Sequence, residues 1–165
     1  NGPRRYKIMK PGVNRVSEKQ SGALYIDPST AFTGIRRLED LIASLEGELL
    51  VCDPYLEHKS LDYFAQNLVC TGVRVLSNPI QRPSPFRRDL NALRTEYSTP
   101  FDVRVHAPGV LHDRYIVHSS GLVLLGTSLN GMGKKQSMIW ESGENLRETV
   151  QGAFETYWAN ATPFS

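Results

Sequence analysis

Apolar positions along the chain follow two rhythms that take turns. Ile35, Leu38, Leu41, Ile42 and Leu45 recur at three- and four-residue steps, with Arg36, Arg37, Glu39 and Asp40 between them, which is the spacing of one buried helix face. Gly47 is placed to stop that helix. Glu48-Leu49-Leu50-Val51-Cys52-Asp53 is a short, nearly unbroken apolar run, which predicts a strand covered on both faces, as in parallel sheets. His58 to Leu68 reads as a second amphipathic helix and residues 72–77 as a second strand. Residues 86–97 read as a third helix, and Phe101-Asp102-Val103-Arg104-Val105 alternates as a strand does. Residues 111–117 and 122–125 predict two paired strands joined by a hairpin turn at Ser119-Ser120-Gly121. Residues 137–140 add a strand and Glu144 to Trp158 a closing helix. At the front, Leu24-Tyr25-Ile26 predicts an edge strand stopped by Asp27-Pro28, with Ser29 or Thr30 as a cap for the next element. Strands alternating with helices predict an α/β fold: a mixed, largely parallel sheet with helices on both faces.

Composition narrows the class. The 165 residues suffice for one domain, whose core needs no metal or disulfide. The polar, basic residues 1–22, with Pro3, Pro11 and Gly12, read as a linker or N-terminal arm, and 23–165 as the domain. The chain opens Asn1-Gly2-Pro3 without an initiator Met, so a piece of a longer protein with further domains before it is expected. No apolar run approaches the roughly 20 residues of a membrane span, and no signal-peptide core is present. Cys52 and Cys70 lack a metal-type spacing and read as buried, reduced thiols of a cytoplasmic protein. The net charge of +2 implies no strong polyanion field, yet Arg outnumbers Lys 13 to 6, and Arg grips phosphate bidentately. Arg82, Arg87, Arg88 and Arg94 form either a solvated helix face or a phosphate-backbone patch.

The chemistry concentrates in one stretch. His112-Asp113-Arg114 opens one strand, and Gly126-Thr127-Ser128-Leu129-Asn130 comes after the next; from His112 to Lys135 the chain reads HDRYIVHSSGLVLLGTSLNGMGKK. This resembles the H-x-K-x4-D motif and the subsequent G-[ST]-x-N-like segment of the phospholipase-D superfamily. It is similar to prokaryotic phospholipase-D-like domains with an HDR(F/Y) start and a G-x-S-L-x-x-x-G-K-K continuation. It also looks like the phospholipase-D-like domain found C-terminal to the microtubule-interacting-and-trafficking module. The strand and helix order over 35–158, with Asp53-Pro54-Tyr55, agrees with one half-unit of that fold.

The resemblance implies a phosphodiester site that needs no cofactor or metal. A neutral His attacks phosphorus in line and forms a phospho-histidine, while a second His protonates the leaving oxygen. Cationic and amide donors stabilise the charged oxygens. His112 takes the nucleophile position. Arg114 replaces the usual Lys and can hold two phosphate oxygens; residues two apart on a strand share a face. Ser128 and Asn130 stand at the family's neutral-donor positions. Asp53, at a strand's carboxyl end where α/β sites collect, joins Lys134, Lys135 and Glu141 as the candidate substrate-binding set. Each has a plainer use: Arg114 could pair with Asp53 or Glu141, Asn130-Gly131 is a common turn pair, and Lys134-Lys135 is ordinarily a solvated loop. His106 and His118 read as structural or exposed.

Two departures weigh on activity. The motif's Asp falls at position 119, which is Ser119; in the family that carboxylate helps orient the network, and loss of such a partner slows a reaction by orders of magnitude. The chain also holds one motif, so a second His must come from a symmetric homodimer through the His112 face or from another domain. Three readings result. One is a degenerate module binding nucleic acid or phosphoinositide head groups. The second is a metal-independent phosphodiesterase, a nuclease, working as a homodimer. The third is a dimerisation or interaction module.

Overall fold

The computed structural model describes residues 22–165; the arm expected over 1–22 lies, Gly22 apart, outside the described residues. Among the described residues eight strands form one sheet: β1 (Ala23–Ile26), β2 (Glu48–Cys52), β3 (Gly72–Ser77), β4 (Phe101–Val105), β5 (Tyr115–His118), β6 (Gly121–Leu125), β7 (Ser137–Ser142) and β8 (Thr162–Pro163). Their spatial order is β1-β7-β6-β5-β2-β3-β4-β8. Helices α1 (Ala31–Ser44) and α2 (Pro83–Glu96) cover one face, and α3 (Arg147–Ala159) covers the other.

Alternation within each strand divides the core. Leu49, Val51, Val73 and Val75 pack with Leu38 and Ile42 of α1 and Phe86 and Leu90 of α2. Their neighbours Leu50, Cys52 and Leu76, with Val117 and Leu122, pack beneath Phe154 of α3. Burial on both faces is why β2 reads as an unbroken apolar run. Arg74 pins α3 to β3: its guanidinium donates to both Glu155 oxygens at 2.6 and 3.0 Å and to Glu48, and lies over the Phe154 and Trp158 rings. Cys52 and Cys70 are both buried and unpaired, and burial pushes the Cys52 thiol up to about 12.

The sheet is mixed, as expected, but not largely parallel. Only β2–β3 and β3–β4 are parallel; β1–β7, β2–β5, β4–β8, β5–β6 and β6–β7 are antiparallel. Parallel neighbours need a crossover long enough to return the chain to the starting end. Segment 106–114 carries no helix to make that return, so β5 starts at the end where β4 stopped. Only Ser119 and Ser120 separate β5 from β6.

Other expectations shift locally. The helix expected over His58–Leu68 is a 3-10 turn, His58–Phe64, closed by reciprocal bonds between Glu57 and Ser60. Its buried residues pair three apart, Ser60 with Tyr63 and Leu61 with Phe64, the period of a 3-10 rather than an α-helix. The strand expected from Leu111 begins at Tyr115. The short β8 has no counterpart among the expected elements. Among the described residues no helix is long and apolar enough to cross a membrane.

Gly47 has φ of 79°, and a Cβ there would meet Ser119 Cβ at 2.8 Å; the Ser119 amide donates to Glu46 O at 3.0 Å. The α1–β2 turn and the β5–β6 turn are thus locked together. Urea unfolding of Gly47→Ala should show a loss of at least ~1–2 kcal/mol, the cost of a left-handed non-glycine residue. Gly152 is exposed within α3, and a Cβ at that position would meet open space; Gly152→Ala should gain ~0.5–1 kcal/mol in the same measurement.

Candidate phosphate site at the carboxyl ends of β2 and β3

The antiparallel routing determines what meets at this end of the sheet. β2 and β3 end here, β5 starts here, and β6 comes back to end beside it. Asp53 immediately follows β2 and its amide donates to Leu76 O at 3.0 Å. Arg114 immediately precedes β5, its carbonyl accepting from Leu125 N at 2.9 Å. Beyond β6, Gly126 lies so close to β7 that a Cβ would meet Met138 O at 2.7 Å. The chain then turns through the 3-10 segment Leu129–Gly131, with Gly131 N donating to Ser128 O.

Asp53 has 0 % of its surface exposed. One carboxylate oxygen accepts from Ser128 Oγ at 3.0 Å and Leu129 N at 2.8 Å, the other from Tyr55 N at 3.1 Å. Burial pushes its carboxyl above the usual range; the three hydrogen bonds and the charge of Arg114 pull the other way. The Arg114 guanidinium lies 5.6 Å from the Tyr55 ring centroid, and its Nε is buried without a hydrogen-bond partner. Tyr55 and Asn130 line one cleft. The structure therefore gathers Asp53, Tyr55, Arg114, Ser128 and Asn130 in one place. Ser128 and Asp53 are engaged with each other and with backbone, which makes them the frame of the site; Arg114 supplies its unspent donors.

The remaining candidates are distributed differently. His112 is exposed and lines a second cavity of ≈ 280 Å³ toward α3, with Leu111, Tyr115, Leu124, Val150 and Tyr157. Residues 112–114 precede β5 rather than lying in it, so strand alternation does not set their facing. Ser119 sits at the far end of β5; at roughly 3.3 Å per residue it lies on the order of 15 Å from Arg114, where it shapes the Glu46–Gly47 turn and cannot orient His112. Glu141 is also at the far end, on β7, in a cavity with Gly22, Arg37 and Leu41. Lys134 and Lys135 are exposed on the loop before β7.

The arginines of α2 are partly occupied. Arg87 donates to Ser165 O and stacks on Phe164, Arg94 donates to Phe101 O, and Arg88 pairs with Asp89. That matches a structural helix face more than a phosphate patch. Asn78 and Gln81, in the loop after β3, also line the Tyr55–Asn130 cleft. Sequence reasoning passed over them; their signal was position just past a parallel strand's carboxyl end.

A raised carboxyl pKa binds more protons folded than unfolded, so its contribution to stability falls as pH climbs through the window from the ordinary carboxylate value up to the raised one. The stability advantage of the wild type over Asp53→Asn should accordingly be largest below that window and shrink above it, measured by urea unfolding across acidic to neutral pH.

No family model matches the sequence, and no curated protein does. Solved structures match the fold. NucT from Helicobacter pylori superposes with a TM-score of 0.61 at 7% identity, over 88% of this chain and 99% of that one. Nuc from Salmonella typhimurium, described as a phospholipase D family member, gives 0.57 at 11% identity over 87% and 97%. Phosphatidylserine synthase from Haemophilus influenzae gives 0.54 at 15% identity, over 87% of this chain and 39% of that one. The mixed sheet, the helices on both faces and these superpositions together give the chain the fold of the phospholipase-D superfamily.

Proposed function

We propose that residues 23–165 form a phosphate-binding module of a larger protein, which holds a phosphodiester or phosphomonoester group through Arg114 and has lost turnover. The observation that carries this reading is Arg114 itself. Its Nε is buried with no partner, and an unsatisfied buried donor on a charged group costs stability that a bound anion would recover. The frame around it is already assembled by the Asp53 hydrogen bonds, so binding needs little reorganisation. Asn130, in the cleft that Tyr55 also lines, adds an uncharged donor. Arg rather than Lys suits a fork-shaped grip on two phosphate oxygens. The loss of turnover rests on the single motif, which supplies one histidine, His112, where the reaction needs two.

One observation favours the active reading. Leu124, Met138, Trp140 and Tyr25 are exposed and register pairs place them on one sheet face, the face that carries the His112 cavity. A second copy docked there would bring its own His112 toward this one, and a homodimeric phosphodiesterase would have both the nucleophile and the acid it needs.

The test is binding and cleavage of labelled single-stranded DNA, duplex DNA and RNA in EDTA, with phosphoinositide vesicles in parallel, by the wild type, His112→Ala and Arg114→Ala. Arg114→Ala should weaken binding by about tenfold or more, the loss expected for a charge-assisted hydrogen bond, and no cleavage should occur. Cleavage abolished by His112→Ala would replace the binding reading with the enzyme. Binding unchanged in Arg114→Ala would remove the phosphate site altogether.

A further inference from the structure

Beside Arg114 lies a cleft of ≈ 450 Å³. Tyr55 belongs to both: its ring lines the cleft and stands under the Arg114 guanidinium. The loop after β2 forms one wall, the loop after β3 another, and Pro108 and Asn130 close the remaining sides. These walls are held before any ligand arrives. Asn78 N donates to Pro54 O at 3.3 Å, and Leu56 N donates to Ser77 Oγ at 3.3 Å, tying the two loops together. Pro54, Pro79 and Pro108 each fix a backbone φ along the rim.

The lining has a definite chemical character. Three amide-bearing residues, Asn78, Gln81 and Asn130, line a cleft whose one charged member among the described residues is Glu57, and the Glu57 carboxylate already accepts from the Ser60 backbone. Among the described residues no Lys or Arg lines it. An amide carries both donors and an acceptor, and the buried Asn78 Oδ1 has no hydrogen-bond partner; rotation of that side chain toward the cleft would give an incoming N–H a place to bond. Tyr55 is 55 % exposed and offers an aromatic surface at the mouth. The matching ligand is flat, uncharged and edged with both donors and acceptors. It is also attached to a phosphate, because the cleft adjoins Arg114.

We propose that this cleft takes an unpaired nucleobase of a nucleotide whose phosphate lies at Arg114, so that the ligand is single-stranded nucleic acid. The inference rests on the phosphate reading of Arg114 and adds the identity of what the phosphate is attached to. A phosphorylated inositol ring would bring further phosphates into a cleft whose described lining has no cation to meet them and one carboxylate to repel them. A duplex hides its base edges and faces from a cleft of this kind, whereas a single strand presents both. Net charge agrees: residues 22–165 hold thirteen Lys and Arg against sixteen Asp and Glu, so the described residues lack the cationic field on which sequence-blind duplex binding draws. Recognition must then come from local contacts to one phosphate and one base.

Fluorescence anisotropy on the chain tests this with four probes: a short labelled single-stranded oligonucleotide, the same length made abasic, the corresponding duplex, and phosphoinositide-containing vesicles. The proteins are the wild type, Tyr55→Phe, Tyr55→Ala, Asn78→Ala and Arg114→Ala, each checked for an unchanged circular-dichroism spectrum and unfolding midpoint. The wild type should prefer the base-bearing strand over the abasic one by about tenfold or more, the contribution of one aromatic–base stack and its edge bonds. Asn78→Ala should lose that preference while keeping the abasic affinity, Tyr55→Ala should lose it as well, Tyr55→Phe should retain it, and Arg114→Ala should weaken both strands alike. Equal wild-type affinity for base-bearing and abasic strands, with both weakened by Arg114→Ala, would overturn the nucleobase site and leave the phosphate site standing. Indifference of every probe to Arg114→Ala would overturn both. Vesicles bound more tightly than the single strand would overturn the nucleobase site in favour of a lipid head group.

Discussion

Asp53 is a carboxylate with no exposed surface at the edge of the hydrophobic core. Removing such a group from water is costly unless donors replace the lost hydration. Here three do: two backbone amides from different loops and one hydroxyl. The strand order is β6-β5-β2, so the bonds from Asp53 at the end of β2 to Ser128 and Leu129 beyond β6 pass over the start of β5. Arg114 stands at that start. One buried carboxylate thereby ties the loop after β2 to the segment after β6 and attracts the Arg114 charge nearby, and the candidate site depends on it more than on any residue that faces a ligand.

The same end of the sheet serves two cavities separated by the strand ends. On one side, Tyr55, Asn130 and the loop after β3 surround an amide-lined cleft next to Arg114. On the other, His112 opens onto an apolar cavity against α3. Of the residues that sequence spacing groups as one motif, His112 thus lines the α3-side cavity while Arg114 lies against Tyr55. A binding role needs only the Arg114 side, while a hydrolytic role needs both histidine and arginine around one phosphorus. That requirement is the physical content of the choice between a module and a dimeric enzyme.

Motif spacing is a sound guide where the contacts are local and a poor one where they span a strand. Ser119 reads as a missing member of the catalytic network because the motif groups it with His112 and Arg114. In the folded chain a β-strand carries it to the opposite end, where its neighbours are Glu46 and Gly47. Glu141 is displaced for the same reason, four residues along β7 from Ser137, which stays near Thr127 at the site end. The arginines of α2 form a cluster in sequence, but the helix points them at different partners, the C-terminal carbonyl and the start of β4 among them.

The sequence by itself determined most of the strands and the three α-helices, because buried faces repeat with the periods of those elements, but not the 3-10 form of His58–Phe64 or the short β8. It also marked Asp53, by its place at a strand's carboxyl end, and Arg114, Ser128 and Asn130, by their resemblance to a phosphodiesterase motif. Strand direction was decided only in three dimensions. A strand buried on both faces shows the same apolar run whether its neighbour is parallel or antiparallel, and the deciding factor is whether the connecting segment can cross back over the sheet. The route taken after β4, with no helix to make that return, turned β5 around. That reversal brought Arg114, Ser128 and Asn130 to the carboxyl ends of β2 and β3 and sent Ser119 and Glu141 away from them.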